Sequence, residues 1–338
     1  MEDKRKVSFV IPCYRSEQTL AGVVTEIEEV MKGMDRYAFE IVLVNDGSPD
    51  GTCEEIRRII KERKGTGAEK ITGIGFSRNF GQHAALMAGI SRVSGDIVVC
   101  LDDDGQTPAS EVGKLLNAIE EGHDAVYARY PNKHHSAFRN FGSRMNDRMM
   151  RIMLNKPKDL YISSYFAVKR FVADEMVRYT NPYPYVQGLL LRTTKDIVNV
   201  DVEHRSRERG TSGYTLGKLL NLWINGFTAF SVKPLRIATM FGALMSVAGF
   251  IYGIATIIRK LIGVNTVLGF SALMSVLTFA CGLILVMLGL IGEYIGRIYL
   301  SLNMTPQYVI REETSSFEPG IRETSEDGAG SPAGKEEA

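Results

Sequence analysis

The sequence predicts an α/β domain followed by a pair of membrane helices, and three observations carry that prediction. Through residues 6–130, short apolar runs alternate with amphipathic stretches. Two long uncharged runs lie near the C-terminus, 22 residues from Ile237 to Ile258 and 32 from Leu261 to Gly292. Three consecutive aspartates, Asp102, Asp103 and Asp104, close the fourth apolar run.

The strand-like runs are Lys6–Pro12, Glu40–Asn45, Lys70–Phe76, Asp96–Leu101 and Ala125–Tyr130. Helical stretches near 17–33, 50–63, 81–93 and 109–121 separate them. Brief, wholly apolar strands such as IVLV, spaced by helices, indicate a parallel sheet covered on both faces. Further helices are expected around 138–154 and 168–179, then a strand at 197–205. About 20 apolar residues cross a bilayer core, so the two uncharged runs read as spanning helices joined by a turn near Gly263–Thr266. Lys218, Lys233, Arg236, Arg297 and Arg311 flank the outer ends, against Arg259 and Lys260 in the turn, which puts both termini in the cytoplasm.

Leu216–Phe230, with Trp223 and Phe227, has apolar residues at helical spacing. It reads as an interfacial helix in the headgroup plane, or as an ordinary helix packed on the preceding domain. The expected organisation is therefore a cytoplasmic domain at 1–214, a juxtamembrane helix at 215–234 and a hairpin at 235–296. A membrane-proximal segment at 297–311 and a disordered acidic tail at 312–338 complete it.

Composition is less informative than its parts. The 338 residues carry a formal charge of +1, and their mean hydropathy is −0.04, values that suit two soluble domains. From Glu312 onward, however, there are eight acidic and two basic residues, which leaves the rest of the chain at about +7. That basic body suits an anionic partner and a membrane surface; nucleic acid is not expected as a partner. The four cysteines, Cys13, Cys53, Cys100 and Cys281, form no C-x-x-C pair, which argues against a zinc site or a disulfide framework and fits a reducing compartment. The N-terminus lacks an apolar signal segment, so the first domain is expected to stay in the cytoplasm.

No G-x-G-x-x-G follows the first strand, and no G-x-x-x-x-G-K-[ST] is present. A nicotinamide dehydrogenase and a P-loop NTPase are thereby disfavoured. A nucleotide can still sit at the carboxyl ends of the strands, where Pro12, Tyr14 and Glu17 follow the first and Asp46 follows the second. A turn with a helix cap accounts for NDGSPDG equally well. Three aspartates after a buried strand are costly without a cation. Asp102 and Asp104, two apart, share one side if the chain stays extended, with Gln106 next on it. Such oxygen donors suit Mg²⁺ or Mn²⁺ completed by water and a diphosphate.

Together VSFVIPCYRSE, IVLVNDGSPDGT, FSRNFGQHAALMAGI, GDIVVCLDDDGQTP, FRNFGSRMN and GTSGYTLGKL leading to SVKPLR resemble the inverting family-2 glycosyltransferases. More narrowly, they resemble the polyprenyl-phosphate glycosyltransferases, over residues 6–300. The resemblance implies a GT-A (Rossmann-like) nucleotide-sugar domain, an interfacial helix and two transmembrane helices in the inner membrane. It further implies that Pro12, Tyr14, Glu17, Asp46, Arg78 and Asp102 hold the nucleotide, and that Asp104 and Gln106 hold metal and diphosphate. Asp102, Asp104 and Asp159 would be catalytic, with Arg129, Arg139 and Ser143 on the acceptor phosphate. Asp159 stands where relatives carry an acidic residue. A strand at Ser163-Ser164-Tyr165-Phe166 is expected to follow, without the arginine that relatives place there. Arg207, Ser212 and Lys218 lie in a basic, glycine-containing loop before the membrane, suited to the diphosphate, to lipid headgroups or to plain solvation.

The implied reaction moves a sugar from a UDP-sugar, a GDP-sugar staying open, to polyprenyl phosphate, with a homo-oligomer as the expected assembly. A processive polysaccharide synthase would need Q-x-x-R-W, but Trp223 lies in NLWIN. A flippase would need more hydrophobic segments than two. A catalytically degenerate scaffold or lipid-binding protein is the non-enzymatic alternative.

Overall fold

The computed structural model describes residues 4–65, 67–131, 150–151, 156–203, 233–262 and 269–316. Its centre is an eight-stranded sheet in the order β7-β5-β6-β4-β1-β2-β3-β8. The strands are β1 (Arg5–Cys13), β2 (Tyr37–Asn45), β3 (Lys70–Phe76), β4 (Ile97–Cys100), β5 (Ala125–Arg129), β6 (Phe166–Lys169), β7 (Ile197–Asp201) and β8 (Ile310–Ser315). Helices α1 (Leu20–Lys32), α2 (Thr52–Glu62) and α4 (Val112–Glu120) cover one face. The other is covered by α3 (Gln82–Ile90), α5 (Arg170–Val177) and α6 (Val186–Thr193).

Alternation along β1 explains the two layers. Val7, Phe9, Ile11 and Cys13 join the core beneath α1, α2 and α4, and Val10 joins the core beneath α3. Because both faces are covered, the strand is apolar almost throughout. α3 lies close on the sheet only because residue 89 is glycine; a Cβ there would sit 2.3 Å from Val10 Cγ1.

The sheet corrects the expectation of parallel strands throughout. β1, β2, β3 and β4 run parallel to their neighbours in that group, as do β5 and β7. β6 is antiparallel to both β4 and β5, and β8 is antiparallel to β3. β8 also corrects the tail boundary, since residues 312–315 belong to a strand. Without β8, the edge of β3 would present unpaired backbone groups. The acidic side chains meet cations there: Glu312 bonds Arg57 at 2.6 Å, and Glu313 pairs with Arg92 at 3.2 Å.

Two long helices follow, α7 (Lys233–Leu261) and α8 (Phe270–Leu302). Among the described residues, one stretch, Phe279–Leu302, is long and apolar enough to cross a membrane, with mean hydropathy 2.0. In α7 the apolar part is the shorter Ala238–Tyr252. From the end of α8, Ser301 Oγ donates to Asn181 Oδ1 at 2.5 Å, and Gln307 Nε2 donates to the Asn181 carbonyl at 2.9 Å. Tyr308 then stacks on Phe76, centroids 5.1 Å apart. The hairpin's exit is thus tied to the sheet. The expected helix at 138–154 lies outside the described residues apart from 150–151, as do the interfacial helix at 216–230 and residues 317–338.

Candidate functional site at the carboxyl edge of the sheet

β1, β2, β3 and β4 all end at one edge, and their following loops converge there. The order β3-β2-β1-β4 changes direction between β1 and β4, which is where open α/β sheets leave a ligand crevice.

The loop after β1 is laced to the loop after β2. Arg15 N donates to Ser48 Oγ at 2.9 Å, and Ser16 N donates to Thr52 Oγ1 at 2.9 Å. Gly51 N donates to Glu17 Oε2 at 3.2 Å, so Glu17 serves this lacing. Arg15 sits at φ 59°, a left-handed conformation that costs a non-glycine residue energy and is held here by those bonds. Tyr14 is exposed on the rim with the Arg15 guanidinium 5.6 Å from its ring centroid. Pro12 is buried within β1.

Asp46 does not point at open space. Phe80 N donates to its Oδ1 at 2.7 Å and Gly81 N to its Oδ2 at 2.9 Å, so it fastens the loop after β3. Burial raises its pKa, against the pull of those two N–H groups. Gly47 makes the junction possible. Its φ is +60°, and a Cβ would lie 2.4 Å from the Arg78 carbonyl carbon. Arg78 itself lies over the Phe80 ring, 4.4 Å from the centroid.

The three aspartates divide their work. Asp103 faces the β1 loop, accepting from Tyr14 N at 3.1 Å and from Ser16 Oγ. Asp102 faces the α3 side. Gln82 Nε2 donates to its Oδ1 at 3.0 Å, and Ser164 Oγ donates to its Oδ2. Asp104 Oδ1 accepts from Gln106 N at 3.1 Å across the turn at Gly105. Burial pushes the Asp102 pKa up to about 6; Asp104 and Asp103 add to the rise, while Ser164 and Gln82 oppose it. Asp103 is raised too, chiefly by burial.

Among the described residues, no group of three or more His, Cys, Asp or Glu side chains is arranged to hold a metal ion. The donor chemistry still fits one. The partners of Asp102 and Asp103 named above are neutral, and consecutive carboxylates with raised pKa values mark, among the described residues, a place short of positive charge. Oxygen donors of this kind suit Mg²⁺ or Mn²⁺ with substrate oxygens completing the shell.

The remaining expected residues are dispersed. Arg129, at the end of β5, pairs with Asp201 directly opposite on β7, Nη2 to Oδ2 at 3.0 Å. An acceptor phosphate would have to share it. Asp159 is exposed in a turn. Arg139, Ser143, Arg207, Ser212 and Lys218 lie outside the described residues. His83, buried beside Tyr185 with a pKa lowered to about 4, stays neutral and offers no base. A cavity of about 450 Å³ lined by Lys4, Arg5, Lys169 and Arg170 lies at the opposite, amino edge of β1 and β4. Three of its cations are paired, Arg5 with Glu120, Lys169 with Asp124 and Arg170 with Asp174.

Sequence reasoning missed Asp103, Ser16, Gln82 and Ser164. One signal reaches Ser164. The β4–β6 register pairs Ile97 with Lys169 and Cys100 with Phe166; continued two residues further, it sets Asp102 opposite Ser164.

Comparison with known proteins agrees with this framework. Residues 8–177 match the family model described as glycosyl transferase family 2, and residues 233–298 match the GtrB C-terminal hairpin. The undecaprenyl-phosphate 4-deoxy-4-formamido-L-arabinose transferase of Proteus mirabilis (strain HI4320) is 31% identical over 320 residues, 94% of this chain and 97% of its own. The protein of the same name from Yersinia pestis (strain Pestoides F) is 32% identical over 319 residues, 92% of this chain and 94% of its own. Mannosyl-3-phosphoglycerate synthase from Rubrobacter xylanophilus superposes with TM-score 0.50 at 17% identity, over 69% of this chain and 74% of that one, a likeness of fold.

A sheet covered on both faces, with clustered carboxylates at its carboxyl edge and a helical hairpin behind it, is the framework of a membrane-associated sugar transferase. The chain belongs to glycosyl transferase family 2.

Proposed function

We propose that this enzyme transfers a sugar, with inversion at the anomeric carbon, from a nucleoside-diphosphate sugar to a polyprenyl phosphate at the cytoplasmic face of the inner membrane. The product is a β-linked polyprenyl-phosphate sugar for modification of cell-envelope glycans. The carrying observation is the Asp102–Asp104 cluster at the β1/β4 crevice, where Asp102 and Asp103 accept from neutral donors. The acceptor follows from relatives named for undecaprenyl phosphate, which match more than nine-tenths of the chain.

The chemistry asks little of a base. A polyprenyl phosphate, with a second pKa of about 6, is already ionised near neutral pH. Leaving-group departure is the harder task, and bound Mg²⁺ or Mn²⁺ would stabilise the charge gathering on the diphosphate. Asp102, Asp104 and Gln106 would hold that ion. Pro12, Tyr14, Glu17 and Arg78 would border the nucleoside, and Asp46 would act by fixing the wall beside them. UDP is preferred to GDP as the carrier. Arg139 and Ser143 would grip the acceptor phosphate, with Arg129 shared between it and Asp201. Arg207, Ser212 and Lys218 would close on the diphosphate or meet lipid headgroups. Asp159 would take part only as an exposed carboxylate near the acceptor.

The hairpin is read as two spans, with both termini cytoplasmic. Apolar side chains exposed along α7 and α8, such as Phe250 and Leu285, support lipid contact. Two spans give a long prenyl tail little to follow, which favours a homo-oligomer whose spans pack together.

Chelation tests the metal assignment. EDTA abolishes formation of lipid-linked sugar by the detergent-solubilised enzyme, and Mg²⁺ or Mn²⁺ restores it. Asp104→Ala lowers it by roughly a hundredfold or more. Undiminished product from that variant would overturn the assignment.

A further inference from the structure

Both oxygens of Asp102 are already committed, and to donors from two separate elements. Gln82 reaches it from the first turn of α3, donating at 3.0 Å to Oδ1. Ser164 reaches it from the extended segment before β6, donating to Oδ2. The backbone dictates both approaches. Val98 and Cys100 on β4 pack in the core beneath α3, so Asp102, two residues beyond Cys100, continues on that side and meets the helix start. The antiparallel β4–β6 register brings Ser164 to the same place.

The chemical character of the pair is informative. An arginine or lysine beside Asp102 would fix the carboxylate equally well, but it would cancel the charge that a divalent cation needs and would stand in its place. An amide and a hydroxyl restrain the carboxylate while leaving its charge intact. Metal-ligating carboxylates elsewhere are oriented by such outer hydrogen bonds, whose loss typically costs 10- to 100-fold in affinity or activity. At position 164 a hydroxyl thus takes up the Asp102 oxygen left open on the β6 side.

We propose that Gln82 and Ser164 are positioning residues for the transfer reaction: a neutral two-sided clamp that aims the Asp102 carboxylate at the metal–diphosphate of the donor. This rests on the reading of Asp102 as a donor-site carboxylate given above. The clamp acts on the donor side, so the acceptor's KM is untouched by its loss.

The test uses the full chain in detergent, with Mn²⁺ binding in the presence of UDP followed by electron paramagnetic resonance, independently of turnover. Ser164→Ala and Gln82→Ala each weaken Mn²⁺ binding about tenfold or more. They lower kcat, and they leave the KM for polyprenyl phosphate unchanged. Ser164→Thr, which keeps the hydroxyl, recovers most of the binding. The double variant loses less than the product of the two single losses, because both act on one carboxylate. Melting temperatures of all variants are measured beside that of the parent, and Gln82→Glu serves as a second probe that keeps shape while adding a repelling charge. If Ser164→Ala and Gln82→Ala bind Mn²⁺ with UDP like the parent while Asp102→Asn does not, the clamp is refuted and the donor-site reading stands. If Asp102→Asn also binds like the parent, the donor-site reading itself fails.

Discussion

Asp102, proposed above for the donor site, comes at a cost to the fold. Its pKa is pushed up to about 6 by burial and by the neighbouring carboxylates. A carboxyl group whose folded pKa lies above its unfolded value binds more protons in the native state, so stability is lost as pH rises from about 4 to about 6. Above that window the metal-free protein bears the full penalty of an ionised, crowded carboxylate. Asp102→Asn removes the penalty. The metal-free variant is expected to melt a few degrees above the parent at pH 7.5, with the difference closing near pH 4. A scan by differential fluorimetry in the presence of EDTA checks this. A variant that melts lower than the parent at pH 7.5 would show that the ionised carboxylate is a net stabiliser. The same linkage predicts that cation affinity falls as pH drops below 6, because protons then compete for Asp102. Asp103 is a different case. Bound to Tyr14 N and Ser16 Oγ, it joins the β1 and β4 loops.

At the scale of elements, β8 is the part of the molecule least anticipated by its sequence. IREETS reads as an acidic tail, yet it lies antiparallel to β3 from Ile310 to Ser315. Edge strands need backbone groups more than apolar side chains, and Tyr308 and Ile310 supply the packing against the core. Removing the chain after Thr305 is therefore expected to lower the melting temperature by several degrees and to promote aggregation through the bared β3 edge. Glu312→Ala alone changes it little, since its pair with Arg57 is exposed and screened by salt. Thermal melts with light scattering separate the two, and equal effects would mean that the ion pair rather than the strand holds this edge. The central strands were legible because short apolar runs such as FVIPC, IVLV and IVVCL, spaced by helices, have few other uses. β6 was legible only in part: the strand expected at 163–166 overlaps the observed Phe166–Lys169 at one residue, and its antiparallel course breaks the strand–helix rhythm. The site divides in the same way. Three aspartates in a row announce themselves, whereas Gln82 and Ser164 stand 20 and 62 residues from Asp102 and are of ordinary type. Only strand register brings them together.

The whole molecule joins a nucleotide-sugar site to a membrane anchor. The α8 exit is fastened to the sheet through Asn181, Tyr179 and Phe76, so the crevice between β1 and β4 is held to the hairpin rather than tethered loosely. The near-neutral total charge hides this division between a basic body and an acidic end, part of which turns out to be β8. The central claim concerns which bond is made. In transfer of a sugar alone, the acceptor phosphate attacks the anomeric carbon, and the whole nucleoside diphosphate departs. The direct test incubates the purified full chain with polyprenyl phosphate, Mg²⁺ or Mn²⁺ and a panel of labelled UDP- and GDP-sugars. Mass spectrometry then identifies the lipid product and the released nucleotide. The account predicts one donor that yields a polyprenyl monophosphate sugar and stoichiometric nucleoside diphosphate. A polyprenyl diphosphate sugar with release of nucleoside monophosphate, or no lipid product from any donor, would contradict it.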